Sequence, residues 1–223
     1  MRIALLGGTG DVGEGLALRL GRDTDHELVI GSRDPGKARR CAEDYLERIG
    51  GFAESATVEG DSNRAATEGA DIVVLAVPPE HVVDTIEAVS GALDEETIVV
   101  SPAVKMSRDD DGFHYERAEA EKSITAAAAE AVPANVPVVG TFHNLPAKRL
   151  AALDTELGLD AAIVADDEAA AETVAAVIAD VEGLRAVYAG PISNAVEVES
   201  ITPLLINLAV KNDGMHDVGV RFT

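Results

Sequence analysis

The chain has 223 residues, of which 47% are hydrophobic and only 3% aromatic, and its formal net charge is −22. A chain of this length buries roughly 70% of the surface that its unfolded form exposes, so a substantial core is available and intrinsic disorder is excluded. The negative charge and the lack of Trp disfavour a nucleic-acid partner, because phosphates are repelled and bases find few rings to stack on. The single cysteine, Cys41, excludes an internal disulfide and a multi-cysteine metal site, and we expect no metal.

Forty acidic residues face eighteen basic ones, and only five of the basic residues are Lys. Such an acidic, Lys-poor composition indicates adaptation to a salt-rich cytoplasm, as in a halophile, with an ordinary acidic protein as the alternative. The apolar N-terminal run ends at Gly7, too early for a signal peptide. The run Ile201–Val210 falls short of the ~20 residues needed to span a bilayer. We therefore expect a cytoplasmic protein with no membrane partner.

Short β-branched segments alternate with longer Ala- and Glu-rich segments, which is typical of βαβ units on a parallel sheet. The first strands are predicted at Arg2–Gly7, Glu27–Ser32, Asp71–Val77, Thr97–Ser101 and Val136–Phe142. The first helices are predicted at Val12–Arg22, Pro35–Ile49, Glu80–Ala92 and Glu116–Ala131. Later elements are predicted at Ala161–Ala165 (strand), Glu168–Glu182 (helix), Leu184–Ala189 (strand) and Ala195–Val210 (helix, kinked or interrupted at Pro203).

A GxGxxG element, Gly8-Thr9-Gly10-Asp11-Val12-Gly13, joins the first strand to the first helix. Its glycines permit a tight turn, close approach of backbone to a pyrophosphate and packing of helix on strand, and the helix N-terminus faces the phosphates. In this βαβ context the element predicts a dinucleotide site. The expected fold class is α/β, a Rossmann-type doubly wound parallel sheet with a smaller C-terminal α/β extension ending in a helix. We place a soft domain boundary near residue 150, between 1–150 and 151–223.

The end of the second strand distinguishes the two dinucleotides. An NAD site places an acid there to hold the ribose 2′-hydroxyl, whereas this chain has Ser32-Arg33, followed by Lys37, Arg39 and Arg40. The last two also fit a helix surface patch, and Lys37 a helix-end tether. A 2′-phosphate site formed by Ser32, Arg33 and Lys37 explains better why a cation stands where NAD needs an acid, so we expect NADP.

The same residues carry a family resemblance. The opening stretch Met1–Arg33 resembles NADPH-dependent reductases of the deazaflavin coenzyme F420, a family of archaea and some bacteria. The likeness continues through PPEHVVD (78–84), VVSPAV (99–104), GTFHNLPA (140–147), AGPISN (189–194), ESITPLLIN (199–207) and the tail Gly214–Phe222. It thus covers essentially the whole chain, and with the composition it suggests a halophilic archaeon as the source.

The resemblance implies hydride exchange between NADP(H) and coenzyme F420, with no catalytic side chain, in a homodimer. It implies that the 1–150 unit binds NADP and that the 151–223 unit completes the deazaflavin pocket and contributes a dimer contact. For NADP, the positions implied by similarity are Thr9, Gly10, Asp11, Val12, Ser32, Arg33, Lys37, Val77, His81, Val104 and Ala147. For the deazaflavin, they are His143, Leu145, Pro146 and Val218.

His143 follows the fifth predicted strand, at the sheet edge where such folds bind ligands. It could donate a hydrogen bond to the deazaflavin, or be a core histidine bonded to backbone. His81 could line the groove or cap the next helix, and Pro79 departs from a family position that can hold a bulky aromatic residue. Two other functions remain open: an NADP-dependent reductase of imines or β-hydroxy acids, and a non-catalytic NADP-sensing module.

Overall fold

The computed structural model describes residues 1–53, 55–118 and 122–223. Its strands are β1 (Arg2–Leu6), β2 (Glu27–Ser32), β3 (Thr57–Ser62), β4 (Ile72–Leu75), β5 (Ile98–Ser101), β6 (Met106–Arg108), β7 (Phe113–Tyr115), β8 (Val138–Gly140), β9 (Leu159–Ala165) and β10 (Leu184–Tyr188). Its α-helices are α1 (Asp11–Asp23), α2 (Pro35–Ile49), α3 (Asn63–Thr67), α4 (Val82–Val89), α5 (Ile124–Ala131), α6 (Ala147–Ala151), α7 (Glu168–Ala179) and α8 (Ala195–Lys211).

Within the described ranges, eight strands form one sheet in the order β10-β9-β8-β5-β4-β1-β2-β3. The six strands from β8 to β3 pair in parallel. Strand β9 runs antiparallel to β8, and β10 is parallel to β9. The order reverses at β1, which lies between β2 and β4, and doubly wound sheets bind ligands outside the carboxyl ends of the strands at this switch point. The fold class is α/β and Rossmann-type, as predicted.

Helices cover both faces of the sheet, because its central strands β1, β4 and β5 are apolar at nearly every position. In β1, Ile3 and Leu5 belong to one core cluster, while Ala4 and Leu6 belong to the other. Successive side chains of a strand point to opposite faces, so each strand feeds both layers. None of the helices in the described ranges has the length and apolar character required to cross a membrane.

Residues after 150 extend the same sheet. Strand β9 adds to the edge beyond β8, and the tail returns to it: Asp160 N donates to Val220 O at 2.8 Å, and Phe222 N donates to Asp160 Oδ2 at 2.6 Å. Arg185 holds the same carboxylate with two hydrogen bonds and also donates to Phe222 O. This clamp fixes the chain that follows α8 against the sheet.

The predicted helix Glu116–Ala131 is wrong in its first half. Helix α5 begins at Ile124, where the Ser123 side chain accepts from Ala126 N at 3.0 Å as an N-cap. Residues 116–118, 122 and 123 are not helical. Directly before them, residues 106–115 form the hairpin β6–β7, and the Asp109 carboxylate stabilises its turn by accepting hydrogen bonds from two backbone N–H groups. Residues 119–121 of the predicted helix lie outside the described residues.

Of the kink or interruption expected at Pro203, the interruption does not occur, since α8 continues through this residue. Proline removes one backbone hydrogen bond, but α8 is held on both sides of Pro203 by buried Val198 and Leu205. The Asn207 side chain also accepts from Phe113 N and donates to Phe113 O in β7. Five short elements were not predicted: β3, α3, β6, β7 and α6.

Candidate functional site

The loop between β1 and α1 is a tight turn that requires glycine at several positions. Gly7 has φ +76°, a conformation that favours glycine. A Cβ on Gly8 would lie 2.7 Å from Leu5 O, and one on Gly13 would lie 2.4 Å from the Gly8 Cα atom. The loop is also tied to α2, where the Tyr45 hydroxyl donates to Gly8 O at 3.0 Å. Packing within the protein thus accounts for these three glycines.

Gly10 differs, because packing within the protein does not require it. A Cβ there would meet only Gly7 O within 4 Å, at 3.5 Å. Gly10 is the N-cap of α1 and has no side chain that could accept a hydrogen bond from the helix. The first N–H groups of α1 therefore have no side-chain acceptor at the N-cap. Bare backbone at a helix N-terminus suits the close approach of a pyrophosphate. The turn therefore fits a dinucleotide.

A groove of about 680 Å³ opens from this turn at the carboxyl ends of β1, β2 and β4. It lies at the switch point of the sheet, where the fold predicts a ligand. Its lining residues are Gly7, Thr9, Gly10, Ser32, Arg33, Asp34, Lys37, Asn63, Ala76, Val77, Pro78, His81, Asp84, Thr85 and Ala88.

One end of this groove is cationic. Arg33 and Lys37 are both exposed there, and neither side chain makes an ion pair or hydrogen bond with another described residue. The neighbouring acid, Asp34, is engaged as the N-cap of α2 and accepts from Lys37 N at 3.1 Å. Arg39 pairs instead with Asp61 at 3.5 Å, outside the groove lining. Two unpaired cations, Arg33 and Lys37, beside a carboxylate that caps a helix form a site that suits a phosphate.

A second cavity of about 360 Å³ lies on the other side of the α1 N-terminus. It is lined by Asp11, His143, Asn144, Leu145, Pro146, Ala147, Lys148, Thr202, Leu205, Ile206, Ala209, Val210, Asp217 and Val218. The four residues that the resemblance assigns to a deazaflavin are thus together in one cavity. Thr9 and Gly10 line the groove and Asp11 lines the cavity, so the two spaces adjoin across three consecutive residues.

His143 lies in a strained segment of this cavity. Phe142, directly before it, has φ +67°, which is uncommon for a bulky residue and concentrates at functional sites. The His143 backbone carbonyl accepts from Thr202 Oγ1 at 2.8 Å, which joins the segment to α8. The side chain is only 4% exposed, and burial lowers the pKa of His143 to about 3, so the imidazole is neutral.

The cavity wall at α6 is held in place by α1. A Cβ on Gly15 would lie 2.7 Å from the Leu150 Cβ atom and 3.0 Å from Ala147 O, so the two helices approach at glycine distance. Arg19 is 1% exposed, and its guanidinium donates to Leu150 O at 2.8 Å and to Thr155 O at 2.8 Å. These contacts connect the helix of the glycine-rich turn to α6 and to the chain just after it, and the first residues of α6, Ala147 and Lys148, line the cavity.

Some expected residues lie elsewhere. Val104 is half-buried in the loop after β5 and lines neither space, and Ala147 lines the cavity rather than the groove. Val12, in the first turn of α1, is partly buried against the core. Sequence reasoning missed Asn63, whose Oδ1 atom is buried without a hydrogen-bond partner among the described residues. Asn63 was missed because β3, which brings it to the groove, has no strong apolar pattern.

The fold and the groove define a dinucleotide-binding protein of the Rossmann type. Residues 2–105 match the family model "NADP oxidoreductase coenzyme F420-dependent". The chain is also similar to the F420-dependent NADP reductases of Methanothermobacter thermautotrophicus and Methanocaldococcus jannaschii. Each is 32% identical over 100% of this chain, covering 95% and 98% of those relatives. The chain belongs to this family, the F420-dependent NADP reductases.

Solved structures show the same fold at lower identity. A putative F420-dependent NADP reductase from Arthrobacter sp. FB24 superposes with a TM-score of 0.72 at 22% identity, over 95% of this chain and 94% of that chain. A pyrroline-5-carboxylate reductase from Coxiella burnetii gives 0.60 at 16% identity, over 97% of this chain and 72% of that chain.

Proposed function

We propose that the protein transfers a hydride between NADP(H) and the deazaflavin coenzyme F420. Its full-length relatives are F420-dependent NADP reductases, and the chain belongs to their family. The observation that carries the proposal is that the nucleotide groove and the second cavity adjoin at Thr9, Gly10 and Asp11. Hydride transfer needs two ring systems held with their reacting carbons ~3–3.5 Å apart, and two adjoining spaces can hold them so.

For NADP, the proposed ligands are the outward N–H groups of α1 and the cations Arg33 and Lys37. The Asp34 carboxylate is oriented as the helix cap by the hydrogen bond that Oδ1 accepts from Lys37 N, and Arg33 stands directly after β2, where an NAD site places its acid. Ser32 Oγ accepts from Asp34 N at 3.1 Å, which holds this corner in place while the Ser32 hydroxyl proton remains available to a phosphate. This arrangement favours NADP over NAD.

For the deazaflavin, the proposed pocket is the second cavity, with His143, Leu145, Pro146 and Val218 in its wall. The two coenzymes supply the redox chemistry, and the protein supplies orientation and exclusion of water. Leu145 is buried and Pro146 and Val218 are partly buried, so they offer an apolar surface to a ring. The proposal therefore requires no nucleophile and no metal.

We further propose that the chain forms a homodimer and acts in the cytoplasm. In a single chain, helix α8 exposes three large apolar side chains: Leu204 (56%), Leu208 (38%) and Val210 (61%). A second copy of the chain would cover them. The acidic, Lys-poor composition supports a salt-rich cytoplasm.

The activity is tested by following NADPH oxidation with coenzyme F420, with pyrroline carboxylate and with no added acceptor. We expect oxidation with F420 alone. Oxidation with pyrroline carboxylate alone would favour the imine-reductase alternative, and tight NADPH binding without turnover on any acceptor would favour the sensing module.

A pair of tail variants then tests the pocket. Val218→Trp would fill the second cavity, so we expect loss of F420 reduction with NADPH affinity retained. Met215→Trp is the matched control, because Met215 is exposed in the same tail and does not line the cavity. Equal activity of both variants would contradict the proposed pocket.

A further inference from the structure

Glu199 is a fully buried acid that the proposed hydride transfer does not use. It lies in α8 with 0% exposure. Its Oε1 atom accepts from Thr125 N and Thr125 Oγ1, each at 2.9 Å, and its Oε2 atom accepts from Tyr115 OH at 2.9 Å and Ile124 N at 3.1 Å. Four donors match the acceptor capacity of an ionised carboxylate. Burial raises the pKa of Glu199, and these four hydrogen bonds act in the opposite direction by stabilising the ionised form.

Thr125 connects this carboxylate to His143. Its Oγ1 atom lies 3.3 Å from His143 Nε2. A hydroxyl has one proton, and here that proton is given to Glu199 Oε1. Towards the imidazole, the Thr125 oxygen can then only accept. A hydrogen bond between them requires that Nε2 carries the proton.

The second nitrogen of His143 follows from the first. The imidazole is neutral and so has a single N–H. With that proton on Nε2, Nδ1 is a bare acceptor, and it is buried without a hydrogen-bond partner among the described residues. Buried polar atoms are nearly always paired. His143 lines the second cavity, and Nδ1 itself has almost no exposed surface, so a ligand there can supply the missing donor through a small side-chain shift of the kind that is common on binding.

We infer that Glu199 is a positioning residue: acting through Thr125, it fixes His143 as the Nε2–H tautomer, so that Nδ1 accepts a hydrogen bond from a ring N–H of the ligand. The inference rests on the proposed function, because the imide N–H of a deazaflavin's pyrimidinedione ring is the donor it calls for. His143 thus acts as an acceptor, the reverse of the donor role considered from the sequence. An analogue without that N–H should bind more weakly, because Nδ1 would stay unpaired.

The tautomer is measured first, without ligand, by nitrogen-15 NMR of the histidine-labelled protein. We expect the wild type to show a protonated Nε2 and an unprotonated Nδ1 at His143. Thr125→Val should release the tautomer to a mixture, and the matched variant Thr125→Ser, which keeps the hydroxyl, should restore it. Glu199→Gln should also give a mixture. If Glu199→Gln does not fold, the comparison of Thr125→Val with Thr125→Ser still decides the question.

Binding is measured next with 8-hydroxy-5-deazaflavin and with its analogue methylated at the imide nitrogen. In the wild type we expect methylation to weaken binding roughly tenfold, as for one hydrogen bond, and in Thr125→Val the difference should shrink. A protonated Nδ1 in the free wild type, or equal binding of the two ligands, would overturn the inference while leaving the proposed function intact. If neither ligand bound, although NADPH did, the proposed function would fail together with this inference.

Discussion

At the carboxyl end of β2, Arg33 and Lys37 are the cations that a 2′-phosphate would meet. Both are exposed, and neither is engaged by another described side chain. Because both side chains line the groove, we expect them to bind the phosphate, which exposure alone would not indicate. Arg40, nearby on α2, is also exposed but does not line the groove, and it offers a control of equal charge.

Arg33→Ala should weaken NADP binding by about 1.5–3 kcal/mol, the scale of a hydrogen bond to a charged group, and NAD binding much less. Arg40→Ala removes the same charge and should leave both affinities nearly unchanged. Fluorescence titration of NADPH and NADH with both variants makes the comparison. Equal losses in the two variants would mean that only the overall positive charge between β2 and the first turns of α2 matters.

The buried imidazole of His143 should make stability depend on pH. The unfolded chain takes up this proton near pH 6.5, while burial lowers the pKa of His143 to about 3 in the fold. The unfolded state therefore binds more protons below pH 6.5, and the free energy of unfolding falls as the pH drops towards 3.

Between pH 7 and 5.5 the wild type should lose about 1 kcal/mol more stability than His143→Gln, whose amide can still donate to Thr125. Urea unfolding at constant salt measures this difference. Parallel pH profiles for the two proteins would show that His143 titrates with the same pKa in the folded and the unfolded state.

At the scale of elements, the contact of α1 with α6 joins the nucleotide turn to the second cavity. Gly15 permits this contact, because a side chain there would meet Leu150 and Ala147 O. Arg19 then fastens the helices by donating to carbonyl oxygens, including Leu150 O at 2.8 Å. The wall of one space is thus set by the helix that begins at the other.

Gly15→Ala should destabilise the fold by about 1–3 kcal/mol through overpacking and should lower F420 affinity by displacing the start of α6. Gly91→Ala is the control, since an added Cβ there has nothing within 4 Å. Thermal unfolding and coenzyme titration report on both effects. If Gly15→Ala were as stable as Gly91→Ala, the close helix contact would not be required.

Elements with a strong local signal could be predicted from the sequence. The first four elements, β1, α1, β2 and α2, have clear apolar patterns, and the Gly8–Gly13 turn marks where β1 ends and α1 begins. Their predicted positions are confirmed within a residue or two. Strand β3 was missed because Val58 is its one fully buried residue. Hairpin β6–β7 and helix α6 were missed because they are short and depend on contacts with α8 and α1.

The residues of the site likewise differ in whether the sequence alone could identify them. Residues carried by motifs, such as Arg33 and His143, could be selected from the sequence. Asn63 and Glu199 could not, because their significance lies in what the fold brings beside them: an open groove for Asn63, and Thr125, distant in sequence, for Glu199.

At the scale of the whole molecule, the charge of −22 makes self-repulsion the dominant long-range force. Lowering salt from about 1 M to 0.01 M lengthens the screening distance from about 3 Å to about 30 Å. The melting temperature should therefore fall steadily over this range, as scanning calorimetry would show. A flat profile would contradict adaptation to salt.

The exposed apolar residues of α8 predict a dimer of twice the 23.1 kDa chain mass. Leu208→Asp should dissociate it by placing a charge in the interface, and Val83→Asp, at an exposed apolar position of α4, should not. Light scattering after gel filtration measures the mass. A wild type that runs at 23.1 kDa would contradict the dimer.

The clamp on the tail has a consequence for the order in which the protein is assembled during synthesis. The groove uses residues 7–88, so its parts are all present before half of the chain has been made. The second cavity needs Asp11, the segment around His143 and, as its last member, Val218, which Asp160 holds near the sheet through Val220 and Phe222. Because translation delivers the N-terminal part first, a nascent chain contains every residue that lines the groove well before it has a place for the deazaflavin.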